Sequence, residues 1–520
     1  MGSGTIEENK TSAFIAELIK RDADSGSHIW QETYSEATVI TLVVGTCLVL
    51  IMCFGLAYLY SGLARRKSAL HMILAVFMVL VVSIFQWYFW GYSLAFSSTA
   101  TNKFIGNLHN FGYQNLEKTL ELGPSASKYP EMAYANFQGM FSAITICILI
   151  GAVCERGRIL PIIPFSFIWT TLVYCPVACW VWNSNGWAYK WGVLDYAGGG
   201  PVEILSGFSG FVMSYFLGQR KKHLMVNFRP HNVSMITIGT SLLWFGWLGF
   251  NGLTCVIPSL KSVYAIMNTN LCAAFGGFTW VLLDYFRTYH WSTVGMCSGI
   301  ICGLVAATPS SGCIPLWASV ILGITAGAVC NFATIIKVWL RVDDSLDVLA
   351  EHGIAGVIGL IFNAIFASAT VLGYDGYTDH SGGWIDHNWK QLYIQIAYIF
   401  AVVGYCVVMT GIICYVLNMI PLLNLRASER AEENGMDEDQ IGEFAYDYVE
   451  IRRNFFDVNG FESKASNLSD GDVEATGSEK QVPLPLTSQH VDGIRVRRED
   501  KVLLDHDNKT RDGCNESSSS

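Results

Sequence analysis

Long apolar runs alternate with short polar connections along most of this chain, and the alternation predicts eleven helices. They lie near residues 37–63, 69–96, 133–154, 160–182, 201–218, 233–253, 263–286, 291–308, 313–336, 349–372 and 393–420. Runs such as Ala37 to Ala64 and Val263 to Leu283 carry almost no charge. They are long enough to cross a hydrocarbon core roughly 30 Å thick. Basic residues then set the orientation. Arg65-Arg66-Lys67, Arg156 with Arg158, Arg220-Lys221-Lys222, Arg287, and Lys337 with Arg341 all follow odd-numbered runs. The opposite connections carry only isolated lysines: Lys103, Lys118, Lys128, Lys190, Lys261 and Lys390. Loops rich in Lys and Arg stay in the cytoplasm. The N-terminus is therefore expected outside the plasma membrane and the C-terminus inside, which an odd number of spans also requires. Five spans followed by five of opposite orientation predict an inverted repeat, with one further C-terminal helix.

Composition supports the same class. Of 520 residues 52% are hydrophobic and only 15% charged, too few charges for the surface of a soluble protein of this length. The expected fold is an all-α polytopic membrane protein. The net charge of −10 does not mark an acidic pore, because much of it lies in the C-terminal tail. The 15 cysteines are scattered, most of them in apolar runs, which argues for buried thiols and against a disulfide or zinc framework. There is no nucleotide loop, hydrolase set or metal cluster. No enzyme activity, cofactor, metal site or nucleic-acid partner is therefore expected. Residues 1–36 read as a polar extracellular segment without a cleavable signal, so the first run would act as a signal anchor. Residues 37–422 form the transmembrane domain. Residues 423–460 keep aromatics (Phe444, Tyr446, Tyr448, Phe455 and Phe456) and are expected to dock on the cytosolic face. Residues 461–520 lack periodicity and read as a disordered cytosolic tail, open to a regulatory kinase or a tail-binding protein. Of the sequons at Asn9, Asn232, Asn467, Asn508 and Asn515, this topology leaves only Asn9 outside, as a candidate glycosylation site.

Two ionisable residues stand inside apolar runs. Glu203 follows Asp195-Tyr196-Ala197-Gly198-Gly199-Gly200-Pro201, and His352 opens His352-Gly353-Ile354-Ala355-Gly356. Such groups are costly in a bilayer, face a bundle interior or cavity, and mark ion or proton pathways. The plain alternative is an interhelical hydrogen bond and nothing more. In an inverted repeat the two would be equivalents, each preceded by an acid, Asp195 and Asp347. Asp195 reads first as an N-cap that satisfies free amides. Asp284, three residues before Arg287, reads as half of an interfacial ion pair, and Asp343 and Asp344 as loop acids that cap the next helix or touch the tail. Glu351 lies about 100° around the helix from His352 and has no assignment.

Several blocks resemble the ammonium transporter family (Amt/Mep/Rh), its fungal permease branch in particular. They are Tyr60-Ser61-Gly62-Leu63-Ala64-Arg65-Arg66-Lys67, Asn136-Phe137-Gln138-Gly139-Met140-Phe141, Asp195 to Gly200, Gly246-Trp247-Leu248-Gly249-Phe250-Asn251 and Asp343-Asp344-Ser345-Leu346-Asp347-Val348. The tail block Glu433-Asn434-Gly435-Met436-Asp437 with Gly442 to Tyr446 is similar too. The blocks stand in family order over roughly residues 37–450. The resemblance implies a homotrimer with one narrow pore per subunit, ammonium and methylammonium as substrates, and no cofactor. It also implies that Phe137, Trp182, Asp195 and Thr254 recruit the cation at the outer vestibule. Phe141 and Phe250 correspond to the ring pair that closes the pore. Glu203 and His352 occupy the positions of the family's pore histidine pair. A glutamate at the first of these resembles one fungal subgroup and departs from the two-imidazole pattern.

The chemistry expected of such a pore follows from desolvation. Ammonium and potassium are alike in size and charge, and no carbonyl filter of the TVGYG type is present to replace hydration. Ammonium alone can give up a proton, and neutral ammonia then crosses an apolar stretch at far lower cost than a charge. The proton would travel through the Glu203–His352 pair, which makes transport electrogenic. The alternatives are an electroneutral ammonia channel and an ammonium-sensing receptor in which transport is secondary.

Overall fold

The computed structural model describes residues 35–446 apart from 118, 123–126 and 227–228. Asn9, the polar N-terminal segment up to Tyr34 and the chain beyond Tyr446 lie outside the described residues. Among the described residues the fold is carried by α1 (Glu36–Leu63), α2 (Arg66–Phe96), α3 (Glu131–Val153), α4 (Ile159–Trp191, broken after Trp182), α5 (199–217), α6 (Val233–Gly252), α7 (Leu260–Thr288), α8 (Thr293–Ala307), α9 (Leu316–Trp339), α10 (Leu349–Phe366) and α11 (Lys390–Met419). Among the described residues nine helices are long and apolar enough to cross a membrane. The other two expected runs coincide with α5 and the shorter α8. A small antiparallel hairpin, Thr119–Leu122 with Ser127–Pro130, precedes α3.

Local sequence explains where the helices start and bend. Asn232 caps α6 by accepting from the Met235 amide at 3.0 Å, and Ser292 caps α8 through the Gly295 amide at 2.9 Å. At the start of α7 the Ser259 amide donates to the Ser262 hydroxyl at 3.3 Å, one half of a capping box. Among the described residues four helices contain a π turn: Trp87–Gly91, Thr170–Tyr174, Gly199–Ile204 and Leu349–Ile354. Such wide turns recur at functional sites. The last two hold Glu203 and His352. Past Phe366, α10 stops where Ala367 turns extended, short of the expected 372.

Association of apolar helices in a bilayer relies on close backbone approach at small residues. Between α1 and α6 a Cβ on Gly239 would lie 2.6 Å from the Leu59 amide nitrogen, and one on Gly62 2.8 Å from the Asn232 carbonyl. The outward faces are apolar and exposed, as at Ile40, Phe245, Phe278 and Phe400, which suits lipid rather than water.

The connections after α1, α3, α5 and α9 meet at one end in a buried ion network. Glu155 accepts from Arg65 Nε at 2.8 Å and Arg220 Nη1 at 2.7 Å, and Asp343 accepts from Arg220 Nε at 2.7 Å. Burial alone would raise the Asp343 carboxyl, but the Arg220 hydrogen bonds and the charges of Arg156 and Arg220 outweigh it and hold it well below the usual range. The chain after α11 covers this network. The Arg158 amide donates to the Leu425 carbonyl at 2.9 Å and the Ala427 amide to the Arg156 carbonyl at 2.8 Å. Arg426 reaches Glu432 at 2.7 Å, and Lys221 reaches Glu433 at 2.7 Å. Asp437 accepts from the Leu70 and His71 amides at 3.2 and 2.7 Å, which caps α2 from a distant part of the chain.

Two expectations are corrected here. Asp284 and Arg287 do not pair with each other: Asn331 of α9 donates to Asp284 and accepts from Arg287, because the asparagine offers both a donor and an acceptor between them. Asp347 is not the equivalent of Asp195. Asp344 is: it stands eight residues before His352, as Asp195 does before Glu203, and its Oδ2 accepts from the Leu349 amide at 2.9 Å. Asp347 corresponds to Gly198, five residues before each pore residue, and both have positive φ, 55° and 112°.

Candidate conduction site

Asp195 builds the first half of the site. Its carboxylate accepts from the amides of Gly198, Gly199 and Gly200 at 3.1, 2.6 and 2.7 Å, and from the Tyr398 hydroxyl at 3.2 Å. These bonds satisfy the free amides that open α5 and leave the acid no direct contact to offer a cation. Gly198 has to be glycine twice over. Its φ is +112°, and a Cβ would lie 2.8 Å from Val202 and 3.1 Å from the Trp182 ring.

The turn so formed aims Glu203 at α10. His352 Nδ1 lies 2.9 Å from Glu203 Oε2, with side chains 4% and 0% exposed. Two glycines allow this approach, each four residues after a pore residue. A Cβ on Gly207 would come within 2.1 Å of the Gly353 amide nitrogen, and one on Gly356 within 2.8 Å of Glu203 Cβ. Glu203 Oε1 is buried and takes no hydrogen bond from the protein, although the Thr308 hydroxyl lies beside the carboxylate. Thr308 in turn accepts from Trp247 Nε1 at 2.9 Å, and the Trp247 ring packs 5.7 Å from Phe250. The acid–imidazole pair and the aromatic cluster thus touch through Thr308.

In that cluster the Phe141 and Phe250 rings lie 4.3 Å apart at 33°, both fully buried. Trp182 meets Phe141 edge-on at 5.9 Å and keeps part of its surface open. Its parallel neighbour is Phe96, at 6.5 Å and 12°. Phe137 sits behind the cluster rather than against Trp182. It meets Phe141 edge-on at 5.1 Å, and its ring fills the space over Gly45, where a Cβ would be 2.6 Å away. The Thr254 hydroxyl donates to the Phe250 carbonyl at 2.5 Å, so its oxygen lone pairs remain available to accept from a cation. Phe96, Trp247, Thr308 and Tyr398 escaped sequence reasoning, since each is an ordinary apolar-run residue until its neighbours are known. The repeated spacing of an Asp at −8 and a Gly at +4 about Glu203 and His352 was the readable signal.

A hydrogen-bonded acid and imidazole, buried between two membrane helices and continuous with an aromatic cluster, define a helical membrane transport protein. The chain belongs to the Ammonium Transporter Family, whose sequence model matches residues 40–446. It is 62% identical over 435 residues to Ammonium transporter MEP3 of Saccharomyces cerevisiae, a match covering 84% of this chain and 88% of that protein. It is 57% identical over 478 residues to Ammonium transporter MEP1 of the same yeast, covering 87% and 96%. The crystal structure of Candida albicans Mep2 superposes with a TM-score of 0.73 at 44% identity, over 80% of this chain and 91% of that one.

Proposed function

We propose that this chain takes up ammonium and methylammonium across the plasma membrane as a homotrimer of eleven-span subunits with the N-terminus outside, and that transport is electrogenic. The observation that carries the reading is the 2.9 Å Glu203–His352 contact, buried in the membrane and continuous with the aromatic cluster. Ammonium docks against the exposed part of Trp182, where cation–π attraction contributes about 0.5–2 kcal/mol, and donates to Thr254. Asp195 acts indirectly, by fixing the turn that carries Gly198 and Glu203. Phe141 and Phe250 close the path to a hydrated cation and offer no oxygen in place of water. The cation loses its proton, and ammonia passes the rings as a neutral molecule.

Glu203 and His352 share the proton as one hydrogen-bonded pair. A carboxylate in place of one imidazole favours positive charge in the pore. The membrane potential then drives the proton with about 2.3 kcal/mol per 100 mV. The test is current recording from the full chain in proteoliposomes under an ammonium gradient, with potassium as control. Ammonium-evoked current with none from potassium is expected. Ammonium flux without charge would overturn the electrogenic reading in favour of an ammonia channel.

A further inference from the structure

Glu351 has no task in the scheme above, although it precedes His352 within the π turn of α10. Its side chain is 8% exposed and lies beside Ser298 of α8. Among the described residues no Lys, Arg or His lies within ion-pair distance of it. An acid in that setting is costly, and acids retained inside membrane spans mark proton relays. The Glu351 amide donates to the Asp347 carbonyl at 2.9 Å, which ties the π turn to the connection before α10. Asp347 stands 2.7 Å from Lys337 Nζ. Both line a cavity of about 870 Å³ that also reaches Arg287, Asn331 and Ile354. The titratable groups facing Glu351 are Asp344 and Asp347 from the connection before α10, Lys337 from α9, Tyr60 from α1, and Cys297 and Cys302 from α8. Lys337 is the sole base in that set, and Asp347 engages it.

We propose that Glu351 relays the proton from the Glu203–His352 pair towards Asp347, Lys337 and their cavity, apart from the path of ammonia. The relay rests on the electrogenic reading. Glu351 and His352 are consecutive in the chain with side chains about 100° apart around the helix, so the relay between them runs through bridging water rather than by direct contact. The imidazolium N–H breaks as a carboxyl O–H forms on Glu351. Glu351 then passes that proton to the Asp347 carboxylate or to water and returns to its anion, with no electrons exchanged.

The test uses the full chain in proteoliposomes, comparing ammonium-evoked current against pH for wild type, Glu351→Gln and Glu351→Asp at equal protein density. Glutamine keeps the volume and a bond to Ser298 but cannot relay. We expect it to lower the current about tenfold or more and to flatten the pH profile, in line with losing one proton-transfer group. Aspartate should restore much of the current with a displaced profile. Wild-type current and profile in Glu351→Gln would overturn the relay alone, as would equal loss in Gln and Asp, which marks a structural role. No current from the wild type would overturn the electrogenic reading and the relay with it. Asp347→Asn serves as a second variant if Glu351→Gln does not fold: lost current supports the relay, and unchanged current overturns it.

Discussion

At the scale of single residues, the glutamate at position 203 decides most. Its carboxylate meets His352 through one oxygen and leaves the other free of protein donors. Glu203→Ala leaves the imidazole without its partner and should lower ammonium-evoked current about tenfold or more at equal surface expression. Glu203→His supplies another titratable partner and should keep transport with a displaced pH optimum. Unchanged current in the alanine variant would remove Glu203 from the mechanism. Thr254 makes a narrower prediction. Its hydroxyl offers one neutral hydrogen bond to the cation, worth about 0.5–1.5 kcal/mol, so Thr254→Ala should raise the apparent KM roughly two- to tenfold with little change in maximal rate. Competition with labelled methylammonium reads this directly. In the same assay ammonium should inhibit strongly and equimolar potassium hardly at all. Equal inhibition by potassium would mean that cations pass the rings intact.

At the scale of elements, the crossing of α5 and α10 positions the pair, and glycine permits the crossing. A Cβ at Gly207 would meet the backbone of the opposing helix at 2.1 Å, whereas one at Gly356 would meet a side-chain carbon at 2.8 Å. Backbone yields less than a side chain. Gly207→Ala should therefore destabilise by about 1–3 kcal/mol or more, seen as lost monodisperse protein on size-exclusion chromatography. Gly356→Ala should fold better and still transport poorly, because it displaces Glu203. Both proteins behaving as wild type would mean that the helices can separate without disturbing the pair. The equal spacing of these glycines from the pore residues stands in the sequence, but their partners do not. Asp347 looked like the equal of Asp195 because it is the acid nearest α10. The capping geometry belongs to Asp344, and the shared positive φ agrees with the residue count in setting Asp347 against Gly198.

At the scale of the whole molecule, the chain after α11 ties together connections that are far apart in sequence. Glu433 holds Lys221, Asp437 caps α2, and Met436 is buried completely. Truncation before Glu433 removes all three anchors and should lower uptake sharply even where the protein reaches the membrane. Truncation after Asp457 keeps every described contact and should leave basal uptake intact while changing its response to nitrogen supply. Uptake in nitrogen-rich and nitrogen-poor cells, at matched surface expression, separates the two. Wild-type behaviour from both truncations would remove any regulatory role from the tail.

The sequence by itself determined the class of protein, because long uncharged runs and the placement of Lys and Arg are properties of the chain that no folding can alter. It also singled out Glu203 and His352, since an ionisable group within an apolar run is conspicuous before any contact is known. Only the tertiary structure decided which neighbours those residues have. The parallel stacking of Phe96 on Trp182, the withdrawal of Phe137 to a seat over Gly45, the link through Thr308 and the sharing of Asn331 between Asp284 and Arg287 all join separate helices. Their geometry depends on how closely backbones approach at a few glycines. Apolar periodicity reports which residues avoid water, and it is silent on which of many similar apolar faces they meet.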